Sequence, residues 1–383
     1  MSGRSKTDRR TFLRRAGAVS GILGVGSLLK YNTQLFLLRK APVEAPEPQA
    51  AWAGARVESY KTLGRTGWKM SDIAFGSAAL RDPEVLRLAL DRGVNYVDTS
   101  PDYSDAESER AVGRAIKGRR DVVFIASKFC SPEGHLAKDS SVAEIIEAVE
   151  ASLGRLGTDY LDLCHIHACN SVDRLMAPTF HEAFDRLKEQ GKVRFLGVSS
   201  HTPELETVMS KAIDSDRFDV IMVAYNFRNW PDLGSIIERA HAKGVGFVAM
   251  KTLKGAYHTV LRDFTADERN SFSQAAFKWV NTNPGVSGLV VTIKKASQVD
   301  EYLFASGKKA DPADLVLLEK YDRLVRSEYC RPGCGECLDA CPAELPIDDI
   351  LRYVMYFDSY GAEREAIVGY SRMVAERGHG AEV

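Results

Sequence analysis

The stretch DRGVNYVDTSPDYSDAESERAVGRAIKG, residues 91–118, shows the unit from which the fold is built. Gly93 stands where a helix would end, and the apolar run Asn95–Thr99 then predicts a short buried strand. Polar turn residues follow, and residues 107–117 return to a helical period before Gly118. A strand followed by a longer helix is typical of parallel βαβ units.

The same unit recurs along the chain, because short runs rich in Val, Ile and Phe alternate with stretches of helical period. The predicted strands are residues 72–76, 95–99, 122–127, 160–166, 193–199, 220–225, 246–251 and 288–293. The predicted helices include residues 83–92, 107–117, 142–156, 180–190 and 266–281. Eight such strands predict an α/β fold of the closed (β/α)8 type, the TIM barrel. An open doubly wound sheet is the alternative, but no glycine fingerprint follows the first strand.

The length, hydrophobic content and net charge of the chain indicate what kind of molecule it binds. The chain has 383 residues, 45% of them hydrophobic, which suffices for one barrel and an appendage. Lys and Arg number 51 and Asp and Glu 52, so no strong net charge favours nucleic acid. We therefore expect a small-molecule partner and no nucleic acid.

Four polar residues fall at or just beyond the ends of three successive predicted strands. They are Asp98, Tyr103, Lys128 and His167. Chemistry in such barrels sits where strands end and the following loops begin, so these side chains are expected on one rim. His165 lies two residues deeper on the same face as His167. We expect it to be a buried histidine satisfied by hydrogen bonds, with a proton relay as the alternative.

With their neighbours, these residues resemble the aldo-keto reductase family over roughly residues 60–306. The segments that carry the resemblance are Asp98–Tyr103 with Glu107–Arg110, Ser127-Lys128, Asp159–Leu163 leading to His167, and Gly191–Arg194 leading to Gly197-Val198-Ser199. The resemblance implies hydride transfer between NADP(H) and a carbonyl or alcohol. It also implies that Tyr103 is the general acid, Lys128 eases loss of its proton, Asp98 positions Lys128, and His167 donates to the developing oxyanion.

The resemblance also implies a set of cofactor-binding positions. Ser199 and Ser200 would bind the carboxamide. Residues around the adenosine end would be Lys294, Lys295, Gln298 and Glu301, and the basic pair suits the extra phosphate of NADPH. Three positions depart from the family pattern: Met222 where a carboxamide-binding Gln is frequent, Met250 where a ring-stacking aromatic is frequent, and Tyr302 where Asn is common.

The N-terminal region resembles a twin-arginine export signal. The stretch Asp8–Arg14 contains the arginine pair followed by Phe12-Leu13, and a small apolar run, residues 16–29, comes next. A basic N-terminal arm beside a chance apolar run is the alternative. We assign residues 1–40 to the signal or a possible membrane tether, 41–56 to a Pro/Ala-rich linker, 57–310 to the barrel, and 311–383 to the tail. The twin-arginine translocase is then a partner, and the protein is expected outside the cytoplasm.

The tail carries a tight run of cysteines after a predicted helix over residues 313–326. Cys330, Cys334, Cys337 and Cys341-Pro342 resemble the segment of ferredoxin-like proteins that binds a [4Fe-4S] cluster, although the first gap is one residue longer than usual. Tetrahedral zinc is the alternative. Residues 347–357 then repeat apolar side chains at helical spacing, which predicts a helix packed on the barrel. The remaining cysteines, Cys130, Cys164 and Cys169, are interpreted as buried spare thiols.

Together these features predict an exported oxidoreductase in which the cluster exchanges electrons with the barrel site or with an outside partner. A redox-sensing or electron-transfer subunit that uses the barrel without turnover is the alternative. The pocket loops contain no residue that identifies the substrate beyond a carbonyl or alcohol.

Overall fold

The computed structural model describes residues 49–201, 204–228, 233–253, 271–325, 337–342, 345–358 and 363–376. These residues fall into two compact units, one up to residue 325 and one from residue 337. The predicted export signal, the first part of the linker, Cys330 and Cys334 lie outside the described residues.

The larger unit is a closed barrel of eight parallel strands, in which each predicted strand is found within two residues of its expected bounds. Around the barrel the order is β3, β4, β5, β8, β9, β10, β11 and β12, and β12 pairs with β3 to close it. The bounds are β3 Ile73–Gly76, β4 Tyr96–Asp98, β5 Phe124–Lys128, β8 Leu161–Ile166, β9 Val193–Ser200, β10 Val220–Ala224, β11 Gly246–Met250 and β12 Gly288–Thr292. The (β/α)8 fold predicted from the strand pattern is confirmed.

Helices follow the strands and cover the outside of the barrel. Their bounds are Pro83–Asp91, Glu107–Ile116, Val142–Leu156, Val172–Leu175, Pro178–Glu189, Leu205–Asp214, Leu233–Ala242, Phe272–Thr282, Ala296–Leu303 and Pro312–Val325. Of the helix expected over residues 266–281, the structure shows Phe272–Thr282, which Ser271 caps with Gln274 in a capping box, and residues 266–270 lie outside the described residues. Local chemistry also sets the bounds of Val142–Leu156, which a Ser141–Glu144 capping box starts and left-handed Gly157 ends.

The apolar core has two layers. One lies between strands and helices, and the other fills the barrel interior with Leu63, Met70, Ala74, Tyr96, Phe124, Ala126, Leu163, Val220, Met222, Val248 and Val290. Successive side chains along each strand point alternately into the two layers. Because both layers are buried, most residues of each strand are apolar.

A two-stranded hairpin that the sequence analysis did not predict closes the amino end of the barrel. Its strands are β1, Tyr60–Thr62, and β2, Lys69–Ser71. Leu63, at the turn, is fully buried, and a Cβ on Gly246 at the start of β11 would lie 2.7 Å from its Cδ1. The missing side chain at Gly246 therefore lets the hairpin plug this end of the barrel.

Ion pairs connect segments that are far apart in sequence. The buried Asp162 carboxylate in β8 accepts from Arg120 at 2.7 Å and from Arg194 in β9 at 2.9 Å. Both guanidinium groups lie over the Tyr160 ring, 3.8 and 4.0 Å from its centroid. Two of the segments that carry the family resemblance therefore meet in one structural network that supports the strands rather than the chemistry.

The helix Pro312–Val325 belongs to the barrel unit. Lys278 of helix Phe272–Thr282 forms a buried ion pair with Asp314, 3.1 Å to each carboxylate oxygen. At the other end of the chain, Trp52 is buried and Gly54 donates its N–H to Asp300 at 3.1 Å. The barrel unit therefore includes residues on both sides of the expected boundaries at 57 and 310.

The smaller unit contains two described helices, Ile347–Asp358 and Glu363–Glu376. They pack on each other, because a Cβ on Gly369 would lie 2.3 Å from Cε1 of Tyr353. The helix predicted from the apolar spacing after the cysteines is confirmed, and its packing on the barrel stays a prediction. Among the described residues, none of the helices has the length and apolar character needed to cross a membrane.

Two further short strands lie between β5 and helix Val142–Leu156. They are β6, Cys130–Ser131, and β7, Gly134–His135, which pair in an antiparallel hairpin. Because this hairpin follows the carboxyl end of β5, it lies on the side of the barrel where the strands end.

Candidate active site

The carboxyl ends of neighbouring strands bring the predicted catalytic residues to one rim. Asp98 is the last residue of β4, Lys128 is the last residue of β5, and His167 follows the last residue of β8. These strands are hydrogen-bonded neighbours in the barrel, so their ends lie side by side. Tyr103 follows in the loop after β4.

Asp98 and Lys128 form a buried ion pair at the bottom of this site. Lys128 Nζ donates to Asp98 Oδ2 at 2.5 Å and to the Thr99 carbonyl at 2.8 Å, and both charged side chains are at most 5% exposed. Burial raises the pKa of Asp98, and the ammonium of Lys128 opposes that rise. A positive charge is thus fixed in a low-dielectric position.

The Tyr103 ring lies close to both this ammonium and the ring of His167. Lys128 Nζ is 5.5 Å from the Tyr103 ring centroid, and the Tyr103 and His167 ring centroids are 6.0 Å apart in an edge-on arrangement. The structure therefore brings together the four residues for which the sequence predicts catalytic roles.

Strained backbone surrounds the rim. Ser104, Asp105 and Ala106 have φ values of 52°, 54° and 64°, and Ala168 after His167 has a φ of 45°. Residues other than glycine rarely adopt this left-handed region, and it costs about 1–2 kcal/mol per residue. The positions of Tyr103 and His167 are thus imposed by the surrounding structure and not by local preference.

His167 is held as a neutral imidazole. Burial, the largest effect, lowers its pKa well below the usual value, and it outweighs the opposite effect of the Asp102 carboxylate; His135, Lys128 and Arg174 lower the pKa further. Arg174 also fixes the backbone here, because it donates to the His167 carbonyl at 2.7 Å and to the Leu136 carbonyl at 3.0 Å.

Three side chains that the sequence analysis did not assign to the site surround His167. Cys130 Sγ is 3.3 Å from His167 Nδ1, and Asp102 Oδ2 is 3.6 Å from the same nitrogen. His135 Nε2 is 3.5 Å from Asp102 Oδ2, and the two histidine ring centroids are 4.4 Å apart. The spacing Cys130-x4-His135 was the available signal, but its meaning depends on the antiparallel register that pairs these two residues.

The Asp102 carboxylate is stabilised by its neighbours. Burial would raise its pKa, but His167, His135 and a short hydrogen bond from Ser100 outweigh that effect and hold the pKa well below its usual value. Asp102 is therefore an anion that faces two imidazole rings.

His165 is fully buried, as expected, but its ring nitrogens have no hydrogen-bond partner within the described part of the chain. The expected burial is found, and the expected hydrogen bonds stay a prediction. Burial, aided by the charge of Lys128, lowers its pKa well below the usual value, so the ring is neutral. A Cβ on Gly197 would lie 2.4 Å from His165 Nδ1, which explains the glycine in the neighbouring strand.

The residues expected to contact the nicotinamide end lie along β9, β10 and β11. Ser199 and Ser200 are buried at the end of β9, and Ser199 Oγ accepts the Ala168 N–H at 3.1 Å. Met222 pairs in register with Ser199 and lies in the interior apolar cluster, against which Met250 packs. Two thioethers thus give this part of the rim an apolar, adaptable surface.

The residues expected at the adenosine end surround the start of helix Ala296–Leu303. Lys294 and Lys295 are exposed, and the Gln298 side chain accepts their backbone N–H groups at 2.8 and 3.2 Å. Glu301 is buried and accepts from Ser271 at 2.7 Å. Basic side chains at a helix N-terminus form a region suited to phosphate, whereas Glu301 faces the protein interior.

In the smaller unit, the two described tail cysteines lie one turn apart. Cys337 is the first residue of the turn over residues 337–340 and Cys341 follows it; both are partly buried, and neither forms a disulfide. Their predicted partners Cys330 and Cys334 lie outside the described residues.

The closed parallel barrel and the polar side chains at its carboxyl ends define a (β/α)8-barrel oxidoreductase. Residues 72–322 match the sequence model of the Aldo/keto reductase family. The chain belongs to that family, which confirms the resemblance carried by the sequence motifs.

Comparisons with individual proteins agree with this family. The chain is 25% identical over 281 residues to L-galactose dehydrogenase of Arabidopsis thaliana, covering 64% of this chain and 87% of that protein. It is 34% identical over 160 residues to aldo-keto reductase YhdN of Bacillus subtilis, covering 38% of this chain and 48% of that relative.

Solved structures share the fold. Aldo-keto reductase AKR11C1 from Bacillus halodurans superimposes with a TM-score of 0.57 at 24% identity, covering 69% of this chain and 96% of that structure. An aldo/keto reductase from Klebsiella pneumoniae, in complex with NADP and acetate, gives a TM-score of 0.56 at 23% identity, covering 70% and 95%.

Proposed function

We propose that this protein catalyses hydride transfer between NADP(H) and the carbonyl carbon of a small aldehyde or ketone, or the reverse oxidation of an alcohol. The observation that carries the proposal is the buried Asp98–Lys128 pair beneath Tyr103, with the His167 ring 6.0 Å from the phenol ring.

The proposed roles follow from charge. Bound NADPH would supply the hydride, and the carbonyl oxygen would gain negative charge as its carbon–oxygen π bond breaks. Tyr103 donates its phenolic proton to that oxygen, and the Lys128 ammonium stabilises the phenolate that remains. Asp98 keeps Lys128 in place, and neutral His167 donates a hydrogen bond to the oxygen from a ring N–H.

The residues present are chemically suited to NADP(H). Lys294 and Lys295 offer two exposed positive charges at a helix start, which suits the additional phosphate. Ser199 and Ser200 offer hydroxyl groups at the end of β9, and Met222 and Met250 offer apolar surface beside them. The Klebsiella relative with NADP supports the same assignment.

The experiment is NADPH oxidation by the full-length chain with simple aldehydes, compared with Tyr103→Phe. We expect the substitution to lower kcat by about 100- to 10,000-fold, because it removes the proton donor. NADPH binding, measured by fluorescence titration, should be unchanged.

Equal turnover by the wild type and Tyr103→Phe would contradict the proposed role of the phenol. NADPH binding without turnover of any carbonyl by the wild type would favour the alternative, a redox-sensing subunit.

We further propose that the tail binds a [4Fe-4S] cluster through Cys330, Cys334, Cys337 and Cys341, and that the cluster exchanges electrons with the barrel site or an outside partner. The closely spaced Cys337 and Cys341 support it, because two thiols one turn apart can reach one cluster. Four thiolates also suit zinc, so the metal has to be identified chemically.

Anaerobic purification followed by iron and sulfide analysis tests the cluster. We expect about four iron and four sulfide per chain and a brown absorbance that Cys337→Ser removes, whereas Cys164→Ser should retain them. A colourless protein with zinc and no iron would contradict the cluster and support the zinc alternative.

We also propose that residues 1–40 direct export by the twin-arginine route, which carries folded cargo and so fits a protein whose cofactors are inserted first. The protein would then work outside the cytoplasm, released or tethered to the membrane. Its support is the sequence Arg9-Arg10-Thr11-Phe12-Leu13. Cell fractionation of wild type and an Arg9→Lys, Arg10→Lys double variant tests this, and an unchanged distribution would refute it.

A further inference from the structure

We propose that Asp102, Cys130, His135 and His167 form a binding site for one divalent metal ion of the zinc type at the barrel mouth. This site goes beyond the proposed hydride transfer and is separate from the cysteines of the tail. One carboxylate oxygen, one sulfur and two imidazole nitrogens lie there, all within 4.8 Å of one another.

Three of the distances between donor atoms are close to those between ligands of one ion. The two contacts between the histidine nitrogens and Asp102 Oδ2 are 3.5 and 3.6 Å, longer than the usual range of about 2.7–3.2 Å for N–H···O hydrogen bonds. A tetrahedral zinc ion separates neighbouring nitrogen and oxygen ligands by about 3.3 Å and nitrogen and sulfur by about 3.5 Å. The contact between Cys130 Sγ and His167 Nδ1 is 3.3 Å.

The backbone positions the four donors from three directions. Cys130 and His135 are register partners in the β6–β7 hairpin, so their side chains leave the hairpin on one face. Asp102 comes from the loop after β4, and His167 follows the end of β8. The donors therefore converge although they span residues 102–167.

The surrounding residues hold the donors in place. Ser100 donates a short hydrogen bond to Asp102 Oδ1, which leaves Oδ2 directed at the two imidazole rings. Arg174 donates to the carbonyls of His167 and Leu136, and thereby ties the residue after His135 to the loop that carries His167. Such support of ligands by neighbouring hydrogen bonds is common in metal sites.

The donor set selects the class of ion. Sulfur and imidazole together favour zinc and similar borderline-soft ions over Mg²⁺ or Ca²⁺, which prefer oxygen. A thiolate and a carboxylate carry two negative charges, which a divalent ion neutralises. Binding would release the thiol proton of Cys130 to solvent.

A metal ion on Nδ1 of His167 would also fix the tautomer of that ring. Nε2 would then carry the proton, which is the form needed to donate a hydrogen bond to a substrate oxygen. This consequence rests on the proposed function, whereas the metal site itself does not.

The test is zinc content of the full-length chain after loading with zinc chloride and gel filtration. We expect His135→Asn and Cys130→Ser each to lose about one zinc ion per chain relative to wild type. His241→Asn, in an exposed helix position, and Cys169→Ser are matched controls that should lose none. Zinc in the tail would be the same in every variant and cancels in the comparison.

Cobalt loading gives an independent signal, because thiolate-bound Co²⁺ has a charge-transfer band in the near ultraviolet. This band should be weaker in Cys130→Ser than in Cys169→Ser. Unchanged zinc content in both ligand variants, or equal losses in the controls, would overturn the site. The His135 side chain is 42% exposed, so we expect His135→Asn to fold. This variant therefore tests the metal site even if Cys130→Ser fails to fold.

Discussion

At the scale of single residues, Lys128 illustrates how the barrel uses a buried charge. Its ammonium is nearly inaccessible and is balanced by Asp98 at 2.5 Å. Removing one partner of such a pair leaves an uncompensated charge, which typically costs about 3–5 kcal/mol. Keeping such a pair buried is costly in free energy, and its location close to Tyr103 is consistent with the catalytic role proposed for it.

The buried carboxyl group of Glu301 predicts how the stability of the protein depends on pH. Burial raises its pKa to about 7, although hydrogen bonds from Ser271 and Ser273 oppose the rise. The folded state therefore binds a proton more tightly than the unfolded state does, and this residue's contribution to stability falls as pH rises from its ordinary pKa of 4.5 to about 7. The full effect is about 3 kcal/mol.

We expect Glu301→Gln to gain stability relative to wild type between pH 5 and pH 8, because the amide has no charge to bury. Urea denaturation at the two pH values measures this gain. Glu319→Gln, at an exposed position of helix Pro312–Val325, is the control and should show no such gain. A difference between wild type and Glu301→Gln that stays constant with pH would contradict the burial argument.

The sequence correctly predicted the residues whose position follows from the ends of strands. Asp98, Lys128 and His167 were predicted on one rim because parallel neighbouring strands end together. It failed to place Cys130 and His135 there, because a two-residue strand pair carries almost no periodicity. Cys130 was interpreted as a spare thiol, and only the tertiary structure puts it against His167.

At the scale of elements, close approach of helices depends on small residues. Gly113, in helix Glu107–Ile116, faces the end of helix Val142–Leu156, and a Cβ there would lie 2.6 Å from the Leu156 carbonyl oxygen. Because that neighbour is backbone, it cannot rotate away. Gly154, inside Val142–Leu156, has no atom within 4 Å of such a Cβ.

These two glycines predict opposite effects of the same substitution. Gly113→Ala should lower the free energy of unfolding by about 1–3 kcal/mol through overpacking. Gly154→Ala should raise it by about 0.5–1 kcal/mol, because alanine favours the helix and has room. Urea denaturation of both variants checks this, and a stabilised Gly113→Ala would show that the two helices do not pack as described.

Elements were predictable in proportion to their length and apolar content. All eight barrel strands were predictable because each is largely buried and rich in hydrophobic residues. The β1–β2 hairpin was missed since Tyr60–Thr62 alternates exposed and half-buried residues and has no apolar run. The start of helix Phe272–Thr282 was misplaced because the capping box formed by Ser271 and Gln274 was not recognised in the sequence.

At the scale of the whole molecule, the proposed functions would combine a barrel that carries out two-electron hydride chemistry with a cysteine tail that carries out one-electron transfer. An exported protein would not meet a recycled NADPH pool, so the nucleotide would stay bound or the cluster would connect the barrel to an outside electron partner. The metal site proposed at the barrel mouth would add a third centre, next to the phenol that donates the proton.

The most direct test of the central claim is the fate of deuterium from NADPH labelled at both C4 positions. Incubated with the full-length chain and a simple aldehyde, it should give an alcohol with one deuterium on the former carbonyl carbon, detected by mass spectrometry. An alcohol without deuterium at that carbon, or no alcohol at all, would contradict direct hydride transfer at the site formed by Asp98, Tyr103, Lys128 and His167.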